Sequence, residues 1–435
     1  MTKEQSLKEH QKIAVIGAGM AGVLVANRIL ASCTQHHITL LDSMPTLGGK
    51  SCSINWEEKQ WSPHPALISK KLYDFAINSI HSRPHKDTKP EAEFSASHLT
   101  LLAQNQITEL HSLLNENSKL PKILGGARAQ KSWKDLLKSP LFSEIKEEKN
   151  SLSKALSPKI KDSLATTFKI LSSWNGTSSW QKISSKAFQE RNEYCSSLAF
   201  NPSLKATYEQ LLNNYSEDRL SLLLNERITS ASYTKKGWAL KTKEKNLTFD
   251  KIIVAHSPWE ALSWMDRKDI PTVLLKMAFK TKPISLVSLT KKIKQGSEDL
   301  PQQMIMPAEQ ATIRKIEDNL YFTLHLDYES SMDALSVTKA LKALRRASTK
   351  IVKYFPSLQL ENEHIALHPI AWSQSPYYSD SEYINKLSNY NYFSEHLAFC
   401  GESYGSSYKP DENIIKSTLA CTSHFSSQDK TGPQK

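Results

Sequence analysis

KIAVIGAGMAGVLVANRILASCTQHHITLLDSMPTLGGKSCS, residues 12–53, carries the pattern on which the rest of the chain depends. Lys12–Ile16 is a short apolar run rich in β-branched residues and reads as a strand. Gly17-Ala18-Gly19-Met20-Ala21-Gly22 follows at once, and then an apolar, Ala-rich segment at helical spacing to about Ala31. Ile38–Leu41 is a second apolar run, closed by Asp42. Strand, Gly-x-Gly-x-x-Gly, helix, strand and acid in this order point to a dinucleotide site. Gly17 permits the tight turn, Gly19 lets the backbone approach a pyrophosphate, and Gly22 lets the helix pack close to the strand. The pyrophosphate would sit at the positive end of the helix, with Asp42 accepting from ribose hydroxyls.

The residues after Asp42 narrow the choice of dinucleotide. Asp42-Ser43-Met44-Pro45-Thr46-Leu47-Gly48-Gly49-Lys50 resembles the acid-x5-Gly-Gly-Arg/Lys extension of the flavin amine oxidase superfamily, which includes amine oxidases, protoporphyrinogen oxidases and phytoene desaturases. Two further glycines bring more backbone N–H groups to the phosphates, and Lys50 supplies a cation. The resemblance implies an α/β, two-domain flavoprotein: a Rossmann-type FAD-binding domain plus a mixed sheet-and-helix substrate domain, interleaved in sequence. The expected FAD-binding domain comprises residues 1–70, 205–265 and 385–425. Residues 71–204 and 266–384 would form the substrate domain, with 426–435 a flexible tail.

A chain of 435 residues is long enough for two domains with real cores. No apolar run approaches the length of a transmembrane helix, and residues 1–11 are polar, without a secretory h-region. The five cysteines are odd in number and scattered, which suits reduced thiols and a cytoplasmic location. The sequons at Asn175 and Asn246 carry no weight without secretion. The net charge of +12 reads as a generally basic surface, densest in residues 276–294 and 345–353. No nucleic-acid motif accompanies it, so no nucleic-acid partner is expected; peripheral contact with a membrane through this surface is the alternative.

Residues 54–70 read as strand, charged turn and strand, with Ser62-Pro63-His64 where the superfamily brings residues near the flavin. From 71 to about 205 the pattern reads as helical and polar, with three-and-four spacing over Leu99–Leu114 and Ile160–Leu171. Leu204–Leu212 reads as a helix and Ser221–Leu224 as a strand. The segments 227–233, 237–240 and 249–255 read as three more strands. These resemble the second FAD-binding segment of the superfamily, in which a residue at the Ile228 position packs on the adenine. His256-Ser257-Pro258 stands where Thr-Pro is usual, and Asn201-Pro202-Ser203 where a Gly-Gly is usual. Val273–Leu289 opens a strand-rich region to about Asp327, and Leu335–Val352 is an amphipathic helix.

The second anchor is C-terminal. His396–Cys400 followed by Gly401-Glu402, then a helix over Asn413–Phe425, resembles the superfamily's final motif. There Glu402 would bind the ribityl or phosphate region, and the helix N-terminus would stabilise charge on the reduced flavin. Asn413-Ile414 and Ser417-Thr418 replace that helix's usual small pairs. For the redox step, Lys276 in LLKMAFKTKP either matches the amine oxidase lysine that holds a water against flavin N5 or is a surface strand lysine. Trp372, Tyr377, Tyr378 and Tyr404 would line an aromatic pocket, or pack in the core. Cys400 does not lie in the motif of the flavin-linking cysteine. Gly401-x-Ser403-x-Gly405 lacks the helix and the downstream acid and histidine of a nucleophile elbow. His364 and His368 lie on a segment that reads as a strand, which argues against a metal pair.

The expected activity is that of an FAD-dependent, amine oxidase-like oxidoreductase. It would remove hydride from a C–N or C–C bond of a small apolar or aromatic substrate and pass electrons to O2 or another acceptor. Protoporphyrinogen oxidation or polyene desaturation is the alternative within the superfamily. A non-catalytic flavin-binding scaffold is the alternative outside enzyme chemistry.

Overall fold

A computed structural model describes residues 11–49, 54–56, 59–61, 67–79, 99–103, 106–109, 198–200, 204–272, 275, 283–327, 333–373, 394–405, 407 and 409–427. The N-terminal part gives β1 (Lys12–Ile16), α1 (Met20–Ser32), β2 (His37–Leu41), β3 (Ile54–Trp56), β4 (Lys59–Trp61), β5 (Leu67–Ser69) and α2 (Lys70–Ile77). Then come β6 (Leu99–Ala103), β7 (Gln106–Glu109), β8 (Leu198–Phe200) and α3 (Leu204–Leu212). The middle holds β9 (Leu220–Leu223), β10 (Ile228–Thr234), β11 (Gly237–Thr242), β12 (Asn246–Phe249), β13 (Lys251–Val254) and the one-turn α4 (Pro258–Ala261). The remainder is β14 (Pro283–Gln295), β15 (Gln303–Met306), β16 (Ala311–Ile316), β17 (Asn319–Asp327), α5 (Ala334–Tyr354), β18 (Gln359–Ser373), β19 (Leu397–Phe399) and α6 (Pro410–Ser427).

β19, β13, β1, β2 and β9 form a five-stranded sheet in that order, with every neighbouring pair parallel. Both faces are covered, as parallel sheets require, and the strand residues divide with a period of two. Ile13, Val15, Ile38, Leu40, Ile253 and Ala398 point to a core shared with α1, α2, α3 and α6. Ala14, Ile16, Leu41, Ile252, Val254, Leu397 and Phe399 point to the opposite core, closed by Ile228, Trp238, Leu240 and Phe249 of the antiparallel β10–β11–β12 sheet. The Trp238 indole N–H donates to the His396 carbonyl at 2.9 Å and pins the small sheet to the large one. A second, seven-stranded sheet, ordered β18-β14-β17-β16-β15-β6-β7, packs against α5 over a core of its own.

Several expectations need correction. Residues 99–114 do not form a helix where they are described: β6 and β7 are a hairpin, and β6 pairs in parallel with β15. Thr100 and Leu102 are buried on one face while Ile107 is exposed, so the sheet edge selected the period-two reading of a segment that also fits three-and-four spacing. Residues 272 and 275 are helical, and Leu275 N–H donates to Pro271 O; the described strand of this region is β14, Pro283–Gln295. β12 is an additional strand in the middle segment. Leu72 and Ala76 of α2 lie in the first core, and α6 runs on to Ser427. Ile160–Leu171 lies outside the described residues. Among the described residues no helix is long and apolar enough to cross a membrane.

Candidate dinucleotide site

The carboxyl ends of β1, β2, β13 and β19 meet at one edge of the parallel sheet, and the chain turns there deliver the glycine motifs. Gly17 leaves β1 at φ +107°, and a Cβ on it would meet the Ala255 carbonyl oxygen at 3.2 Å. A Cβ on Gly22 would fall on the Gly17 carbonyl oxygen, so α1 can approach β1 this closely only with glycine there. Gly19 is the N-cap of α1 and contributes no side-chain cap, and no acidic residue stands in the first turn. No side chain of α1 itself therefore compensates its positive end; the nearest carboxylate is that of Asp42, on the Ala18 N–H.

The second glycine turn closes onto the first. Gly48 N–H donates to Ala18 O at 2.9 Å. Gly49 has φ +53°, and a Cβ there would come within 3.0 Å of the Gly19 Cα. Two glycine backbones thus face each other over the start of α1. Ala18, Met20 and Ala21 are buried around this contact, and Ser43 is exposed on the turn between the two motifs.

Asp42 is already engaged. Its Oδ2 accepts the Ala18 N–H at 2.6 Å and its Oδ1 accepts the Met44 N–H at 2.8 Å, so it ties the two turns together. Each oxygen keeps a lone pair for a ribose hydroxyl. Burial raises its pKa, opposed by the Met44 and Ala18 N–H groups and by His256. His256 closes the same edge from β13: its Nδ1 lies 3.0 Å from Ser257 O and 3.6 Å from the Glu260 carboxylate, and its ring meets Trp264 edge-on. The sequence marked His256 only as a replacement in the usual Thr-Pro position; its place at the end of β13 was the further signal.

The β19 end supplies Gly401, at φ +131° and with the Cβ of Ala21 within 3.8 Å of where its own would stand. Its N–H donates to Ser417 Oγ of α6 at 2.9 Å. Gly401 is therefore brought to the start of α1, and half-buried Glu402 follows it. Tyr404 is a correction: it does not line a pocket. It is 1% exposed, packs on Phe399 with ring centroids 5.4 Å apart, and donates its hydroxyl to His256 O at 2.7 Å. The left-handed turn at Gly401 sends the ring back beneath the sheet. Ile228, expected against an adenine, lies in the core between the two stacked sheets.

The start of α6 differs from that of α1. Asp411 and Glu412 stand in its first turn; Asp411 Oδ2 accepts the Ser69 N–H at 2.7 Å, and Glu412 accepts from Ser407 Oγ at 3.0 Å. The Asn413 carboxamide holds the preceding loop: Nδ2 donates to Glu402 O and Ser407 O, and Oδ1 accepts the Ser407 N–H. The positive end of α6 is met by the chain's own groups.

Lys50, His64, Lys276, Tyr377 and Tyr378 lie outside the described residues, as does the side chain of Trp372. His364 and His368 are on β18, a strand as expected, and no group of three metal-binding side chains occurs among the described residues. Ser403 is buried with no partner for its Oγ, and no helix follows until Pro410, so no nucleophile elbow exists there.

No family model and no curated protein matches the chain. Solved structures do. Cyclohexylamine oxidase from Brevibacterium oxydans IH-35A superposes with a TM-score of 0.64 at 10% identity, over 97% of this chain and 100% of that one. A protein from Exiguobacterium sp. 255-15 named for protoporphyrinogen oxidase gives 0.62 at 12% identity, over 96% and 99%. A fatty acid isomerase from P. acnes gives 0.61 at 13% identity, over 96% and 99%. At such identities the likeness speaks for the fold, and an isomerase among oxidases shows that this fold does not fix the reaction. The chain has the fold that these solved enzymes share.

Proposed function

We propose that this protein is an FAD-dependent oxidoreductase of amine oxidase type. The observation that carries the reading is the closure of the Gly48-Gly49 turn on Gly19 at the N-terminus of α1, which has no side-chain cap and no acid in its first turn. That cradle has no side chains to obstruct a pyrophosphate and has backbone N–H groups to receive it. Gly17, Ala18, Gly19, Met20, Ala21, Gly22, Ser43, Gly49 and Lys50 would hold the phosphates, Asp42 the ribose, and Gly401 and Glu402 the ribityl region. FAD would supply the hydride-accepting chemistry. The chain's own part is to bind it, exclude water and orient a small apolar or aromatic substrate, with Lys276 and Tyr377 proposed beside it. The cyclohexylamine oxidase likeness favours oxidation of a C–N bond, with O2 or another acceptor taking the electrons; porphyrinogens are the competing substrates.

The non-catalytic scaffold is the second reading, favoured by the acids and the Asn413 carboxamide at the start of α6. Visible absorption of the purified protein, with and without added FAD, tests the cofactor. A two-band flavin spectrum that survives gel filtration is expected; a colourless protein that takes up no FAD overturns both readings. Anaerobic bleaching with a panel of primary amines and porphyrinogens then separates them. Bleaching by an amine supports the enzyme, and a bound flavin that nothing bleaches supports the scaffold.

A further inference from the structure

α5 spans 21 residues and carries six Lys or Arg and no Asp or Glu, so one helix holds half of the chain's net charge of +12. Its buried stripe is Ala340, Leu344, Ala347, Ser348 and Ile351, packed on the seven-stranded sheet. At the helical period, Lys339, Lys342, Arg346 and Lys353 fall within about 40° of one line that faces away from this stripe. All four are exposed, and none has an ion-pair partner among the described residues. Arg345 flanks the row on one side; Lys350, on the other, is paired with Glu309 at 2.5 Å. The row projects from the crest of the helix over about 20 Å. Leu335, 59% exposed, begins the same line.

We propose that the crest of α5 is a docking surface for an anionic lipid bilayer. Like charges in a row repel one another, and a layer of lipid phosphates and carboxylates relieves that repulsion along the whole length. The convex crest suits a flat partner, and the exposed Leu335 at its start can enter the headgroup boundary. No aromatic side chain stands on the row, so it lacks the stacking platform that single-stranded nucleic acid uses. None of these residues belongs to the dinucleotide crevice.

The test is co-sedimentation of the full chain with vesicles of phosphatidylcholine alone and with about one-third phosphatidylserine, at low salt and at about 0.3 M salt. Binding is expected only to the anionic vesicles and should weaken with salt. The triple variant K339E/K342E/R346E is expected to lose at least about a hundredfold in partitioning, each cation contributing about fivefold. Circular dichroism and Tm verify that it folds. K235E/K236E/K243E, which makes the same charge change on exposed lysines of the small sheet, should bind nearly as the parent does. Equal loss in both triples would assign the effect to net charge and overturn the proposal. So would absence of binding to anionic vesicles, or tight binding of a short RNA by a chain that ignores vesicles.

Discussion

Gly49 and Asp42 govern the same small volume by opposite means, one by having no side chain and the other by using both oxygens of its own. With φ +53° and the Gly19 Cα at 3.0 Å from a would-be Cβ, Gly49→Ala must strain its backbone and part the two turns. The expected cost is about 1–2 kcal/mol of stability, with a larger loss in FAD affinity because the N–H groups of the cradle separate. Equilibrium denaturation and FAD titration measure the two effects. Asp42→Asn replaces one acceptor by a donor, so either Ala18 or Met44 N–H loses its partner, costing about 1–3 kcal/mol. The pH dependence has a definite sign. Burial raises the Asp42 pKa above the ordinary 3.8, so the folded chain takes up this proton before the unfolded chain does. Stability from that uptake is absent at high pH, appears as pH falls through the raised folded value, and is complete below the unfolded one. The advantage of the parent over Asp42→Asn in Tm should therefore grow as pH is lowered through that window; a constant gap would show that Asp42 does not titrate there.

Among the elements, α1 and α6 both point their N-termini toward the carboxyl edge of the sheet, but only α6 carries acids in its first turn. That contrast was partly legible beforehand: Gly17, Gly19 and Gly22 announce a helix start that must stay bare, whereas Asn413 and Ser417 only signalled the loss of small residues. What Asn413 does instead, spanning Glu402 and Ser407, depends on a loop geometry that no local pattern encodes. The hairpin over 99–109 was missed for a related reason: its edge partner, β15, lies about two hundred residues away in sequence. Tyr404 looked like a pocket aromatic because nothing near it in sequence reveals the turn at Gly401 that buries it. If FAD sits with its ring toward α6, Glu412→Gln removes a charge that opposes the helix end. Removing it should raise the two-electron potential of the bound flavin by about 10–20 mV, the equivalent of a terminal helix charge. Potentiometric titration against a reference dye reads this, and a fall in potential would place the flavin ring elsewhere.

At the scale of the whole molecule, the two large sheets have separate hydrophobic cores. The core beneath α5 is built from Leu102, Val287, Leu289, Met304, Ile313, Phe322, Leu344 and their neighbours, and it includes no residue of either glycine turn. Stability and cofactor affinity should therefore be separable by mutation. Leu344 is fully buried at the centre of the stripe by which α5 meets its sheet. Truncation to alanine there leaves a cavity that a tightly paired sheet cannot collapse, at a cost of about 2–5 kcal/mol. The dinucleotide cradle depends on β1, β2, β13 and β19, whose packing against α1 and the small sheet the substitution does not touch. Leu344→Ala is expected to lower the denaturation midpoint while FAD titrates with an unchanged Kd below that midpoint. A Kd weakened tenfold in the still-folded variant would mean that the second core helps to shape the first, and that the cradle is held by more of the chain than the parallel sheet and its own two covers.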